Sequence, residues 1–93
     1  MSENDILEML KINLMISTDA YDNYLRATIK AAKGFISDEG INLNNSAEDS
    51  MLVVMYAAYL YAKRNENTPM MRSLRWALNN RLMREKGRVS GNE

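Results

Sequence analysis

Residues 51–62 read MLVVMYAAYLYA, twelve apolar or aromatic residues without a break. A helix that is apolar all round must be covered on every side. The stretch is shorter than the roughly 20 residues that cross a bilayer. Acids (Glu48, Asp49) precede it and bases (Lys63, Arg64) follow it. That frame predicts a core helix of a soluble protein. Val53, Val54 and three tyrosines would also suit a buried strand, but twelve residues are long for one. Ala57, Ala58 and Ala62 favour helix. The rest of this small chain then reads as the cover for its central helix.

The segment before the core supplies two covers. Ile6, Met9 and Leu10 share one helical face within residues 4–13, with Ser2 or Asn4 as cap. Leu14–Ser17 reads as a turn. A second helix is expected over 18–39, capped by Ser17 or Thr18, with Asp19 and Asp22 in its first turn. Its stripe of Tyr21, Tyr24, Leu25, Thr28, Ile29, Ala32, Phe35 and Ile36 has the 3–4 spacing of an amphipathic helix. Gly40 suits the left-handed position just past its end. Ser46, with Asp49 three residues on, resembles a capping box and opens the central helix over 47–65. Thr68-Pro69 is a start signal for a last helix over 69–86, with Gly87 as its stop. Met70, Met71, Leu74, Ala77, Leu78 and Leu82 form its apolar stripe. The expected fold is therefore all-α, a single-domain bundle of about four helices, with 87–93 a flexible polar tail.

Composition narrows the chemistry. The chain has no cysteine and no histidine, which removes thiol chemistry, the commonest general base and the commonest metal ligand. No phosphate-cradling glycine loop, paired-cysteine or zinc-protease motif occurs. Asp38-Glu39 and Glu48-Asp49 flank a loop, but without calcium-loop spacing. The residues thus point to no catalytic site, no metal and no cofactor. The opening MSENDILEML is acidic and lacks the basic-then-apolar layout of a signal peptide, so a cytosolic origin is expected.

The net charge of zero hides a split. Residues 1–50 carry nine acids and four bases, and residues 51–93 carry eight bases and three acids, giving −5 and +5. Such a chain can pair head to tail with its copies, hold nucleic acid at one end, or match its own helices internally. The last helix concentrates the bases. Arg72, Arg75, Arg81, Arg84 and Lys86 oppose only Glu85. They read either as a face for phosphates or an acidic partner, or as a solvated surface. Trp76 suits an interface anchor, although core placement is the expectation. Asn79-Asn80, poor helix formers, suit hydrogen bonds to a neighbouring chain or to a nearby turn. Tyr56, Tyr59 and Tyr61 read as core with hydroxyls at the edge, and the eight methionines as filler or adaptable contact surface.

Three runs in this order resemble the head–tail connector, or DNA-packaging adaptor, family of long-tailed bacteriophages and prophages. They are LKINLMISTDAYDNYLRATIKAAKGFI, DSMLVVMYAAYLYAKR and MMRSLRWALNNRL. The resemblance spans roughly residues 7–84 and consists of scaffold patterns, not catalytic signatures. Pro69-Met70-Met71 departs from an expected Met-Pro order at the helix start. The resemblance implies a non-enzymatic subunit that assembles into a dodecameric ring under the portal. Such a ring extends the DNA channel and offers its far side to a downstream connector, stopper or tail protein. It implies assembly in the bacterial host cytoplasm, residence at the virion head–tail interface, contact with passing duplex DNA without sequence specificity, and no membrane.

On that reading the acidic half of one subunit meets the arginine helix of the next. The candidate interface residues are Asp38, Glu39, Glu48 and Asp49 on one side and Arg72, Arg75, Trp76, Asn79, Asn80, Arg81, Arg84 and Lys86 on the other. The competing expectation is a small helical DNA-binding protein with the last helix as recognition helix. Neutral net charge leans against it, because dedicated DNA binders run basic.

Overall fold

Among the described residues, fifteen buried apolar side chains form one continuous core, and they come from all four helices and one loop residue, Ile41. The helices are α1 (Glu3–Leu14), α2 (Asp22–Asp38), α3 (Ala47–Lys63) and α4 (Arg72–Gly91). The computed structural model describes residues 2–91, the side chains of 88–91 excepted. The described residues contain no strand. The fold is the expected small four-helix bundle. α3 is its hub and packs against α1, α2 and α4.

Local chemistry sets most of the helix ends. Ser2 Oγ accepts from the Asp5 N–H, and the Asp5 carboxylate accepts from the Ser2 N–H, a reciprocal cap on α1. Gly40 has φ +100°, the left-handed position that a side chain would strain, and so terminates α2. Ser46 Oγ accepts from the Asp49 N–H at 3.1 Å and caps α3.

Other boundaries depart from expectation. α2 starts at Asp22, not at 18, without a side-chain cap. Asp19 and Asp22 instead hold the Lys11 ammonium, each at 2.9 Å, and the Thr18 hydroxyl accepts from the Ala20 N–H in a local turn. α4 starts at Arg72, not Pro69. Residues 65–71 are used to cross the end of α3 with Met70 packed on the core. Gly87 does not stop α4, which continues to Gly91; glycine permits a left-handed turn but does not require one. Of the expected tail at 87–93, residues 87–91 are thus helical backbone, and 92–93 lie outside the described residues.

The core helix is not covered all round. Leu52, Val53, Val54, Tyr56 and Ala57 are buried, but Met51 and Ala62 are exposed and Met55, Ala58, Tyr59, Leu60 and Tyr61 are half-buried. Three other helices are too few to surround α3, and its tyrosines close part of the gap themselves. Tyr56 stacks on Phe35 and meets Tyr59 edge-on, and Tyr24 meets Tyr61 edge-on. Lys63 and Arg64 lie over the Tyr59 and Tyr61 rings. On α2 the inner stripe Leu25, Thr28, Ile29, Ala32 and Ile36 is buried, whereas Tyr21, Tyr24 and Phe35 are about half exposed.

Candidate assembly surface

α4 is attached to the bundle by apolar contact along its first half and by charge along its second. Leu74 and Leu78 are buried against the core, and Ala77 and Leu82 pack at its edge. One turn further on, Arg81 enters the protein. It is 3% exposed, and each of its guanidinium nitrogens has an acceptor. Its Nε donates to Asp49 Oδ1 at 2.8 Å and its Nη2 to Asp49 Oδ2 at 3.1 Å. Nη2 also donates to the Asn42 carbonyl at 2.8 Å, and Nη1 to Glu85 Oε1 at 2.9 Å. Glu85 Oε1 in turn accepts from the Asn42 N–H, and Asp49 Oδ2 from the Asn44 N–H. One guanidinium thus ties α4, the N-terminus of α3 and the α2–α3 loop together, using the planar fork that only arginine offers.

The same geometry explains how Asp49 departs from a simple capping box. Its carboxylate faces Asn44 and Arg81 rather than its own helix cap. Burial pushes the Asp49 carboxyl up, but the Arg81 hydrogen bonds and the Asn44 amide outweigh it and hold the group below its ordinary 3.8. For Arg81, hydrogen bonding to Asp49 dominates over burial and keeps the guanidinium charged.

The twelve candidate interface residues divide by this geometry. Six are joined to each other within one chain: Arg81 with Asp49, Arg84 with Glu48 at 2.6 Å, and Arg75 with Glu39 at 3.4 Å. The charge split is therefore partly matched internally. Arg81 and Asp49, both buried, present no surface to a neighbour. Asp38, Arg72, Asn79 and Lys86 are exposed, and Asn80 is half-buried. Trp76 is not core; it is 69% exposed.

Trp76 belongs to a feature that the sequence reading did not assemble. A groove of about 900 Å³ runs between α3 and α4. Met51, Leu52 and Met55 form one wall, and Trp76, Asn80 and Met83 stand on the other. The Glu48–Arg84 pair lies at its edge. Met83 is 68% exposed, and Met51 is also open to solvent. Trp76, Asn80 and Met83 are spaced by four and three residues, a second face of α4 roughly opposite to Leu74 and Leu78. That spacing was readable, since Trp76 stands two positions from each of those leucines.

Among the described residues no group of three or more acids stands close enough to hold a metal ion, and no helix is long and apolar enough to cross a membrane. Compared with models of known protein families, with characterised proteins and with solved structures, the chain matches none.

Proposed function

We propose that this chain is a structural subunit of a phage or prophage head–tail connector, a protein ring seated under the portal and docked by the next connector or tail component. The observation that carries the reading is the apolar α3/α4 groove with Trp76 and Met83 standing open beside it. Exposed tryptophan and methionine in one groove suit a protein partner. The resemblance of residues 7–84 to connector subunits supplies the identity of that partner. A small core gaining stability from neighbours fits the same reading.

A recognition helix for DNA draws less support. Such a helix needs free cations on its outer face. On α4, Arg81 is buried and Arg75 and Arg84 are paired with acids, which leaves Arg72 and Lys86 as the exposed cations outside those pairs among the described side chains.

Co-sedimentation with portal rings of the same phage or prophage, with free duplex DNA as competitor, tests the proposal. The expected result is saturable binding at about one subunit per portal subunit, unaffected by the duplex. Absence of portal binding, with tight and salt-sensitive binding to the duplex, would replace the connector with a DNA binder.

A further inference from the structure

Among the described side chains, four of the five most exposed large apolar ones fall into two groups. The fifth, Met71, lines a separate cavity with Asn13 and Leu14; Ile12 (76%) and Met15 (91%) stand at the end of α1, and Trp76 and Met83 stand on α4 beside the α3/α4 groove. We infer that these are the two halves of one contact: the outer ridge of α1 in one copy seats in the α3/α4 groove of the next. The inference rests on the proposed ring and names the surfaces that join its subunits.

Charge carries the choice of occupant. Ile6, Leu7, Leu10 and Lys11 form the buried side of α1. The opposite ridge, Asp5, Glu8 and Ile12, has the three- and four-residue spacing of one helical face. It is acidic, and the one base of α1, Lys11, has its ammonium turned inward to Asp19 and Asp22. The groove itself is apolar along its walls and neutral, because its two arginines, Arg81 and Arg84, are paired with Asp49 and Glu48; positive charge stands beside it, at exposed Arg72 and Lys86, one turn from Trp76 and Met83 on α4. An acidic-apolar ridge against an apolar groove flanked by Arg72 and Lys86 gives attraction and register together.

Length agrees as well. Asp5 to Ile12 and Trp76 to Met83 each span seven residues, about 10 Å of helix at 1.5 Å per residue. Ridge and groove are different surfaces of one chain, so the contact is head-to-tail. It propagates to a third copy and closes into a ring when the rotation allows.

Met15 adds a separate indication. It occupies the left-handed region at φ 59°, where glycine is the ordinary helix terminator, and its side chain touches almost nothing in its own chain. Met15 thus adds an exposed apolar side chain next to Ile12 at a position where glycine would serve the fold of the single chain better.

The absence of cysteine makes the test clean. Ile12→Cys and Met83→Cys variants are mixed in equal amounts and oxidised, at high concentration alone and again on portal rings. The control pairs Ile12→Cys with Arg26→Cys, which is exposed on α2. The expected result is a mixed disulfide in at least about tenfold excess over the control, in one setting or both. Equal yields in both settings overturn the contact. Met15→Gly in the Ile12→Cys chain should lower the yield severalfold while raising the melting temperature; an unchanged yield would remove Met15 from the contact. Portal binding without the cross-link leaves the connector reading and sinks this interface. The cross-link without portal binding keeps the interface and sinks the connector.

Discussion

On the inner face of α4, Leu74 and Leu78 are sealed in the core and every nitrogen of the Arg81 guanidinium has an acceptor within 3.1 Å. On the outer face, Trp76 and Met83 lie open and Asn79 points to solvent. The same helix carries a finished surface and an unfinished one. The finished face holds the fold of one chain, and its charges are spent there. The unfinished face contributes little to that fold, and its apolar area is available to a neighbour.

The contrast breaks most visibly at Arg81. Arg81→Met leaves Asp49 and Glu85 buried without their cation and should cost about 3–5 kcal/mol, read from urea unfolding. A cost near zero would show that the buried network does not hold α4. Leu78→Ala, at a fully buried position on the same face, should cost about 2–4 kcal/mol by the same measurement.

Acid sharpens the comparison. The Asp49 carboxyl is held lower in the folded chain than in the unfolded one. Its contribution is therefore complete at neutral pH and is lost as pH falls below about 4 toward the folded value. Urea midpoints measured down through that range should fall, and should fall less in Arg81→Met. Equal slopes would place the acid sensitivity elsewhere.

The smaller effects belong to the open surfaces. Met15→Gly should stabilise the isolated chain by about 1 kcal/mol, because glycine adopts the left-handed turn without a Cβ clash. Trp76→Ala should change the stability of the isolated chain by less than about 0.5 kcal/mol. A loss comparable to that of Leu78→Ala would mean that the two faces of α4 are not distinct.

These differences also mark what the sequence made legible. Period and caps are local, so the α2 stripe, Gly40, Ser2 and Ser46 could be read directly. The Arg81–Asp49 bond spans 32 residues, so no local pattern names its partner, although the 74/78/81 spacing sets Arg81 apart from Arg75 and Arg84. What separates it is rotation about the axis of α4, which carries Arg81 onto the side of Leu74 and Leu78. The uninterrupted apolar run over 51–62 calls for cover on every side. Three neighbouring helices leave Met51 and Met55 partly bare, and that shortfall is the α3/α4 groove. Eleven of the twelve candidate interface residues are polar or charged, whereas the groove is read mainly from methionines whose exposure no local pattern reveals.

The emission of Trp76, the only tryptophan, reports directly on the outer face of α4. We would follow its wavelength as the protein is concentrated and as portal rings are added. The account predicts a water-exposed emission in dilute solution that shifts to the blue, saturably, as subunits assemble. An emission that stays water-exposed while sedimentation shows the chain assembled would contradict it, because the groove and its tryptophan would then have no part in the contact.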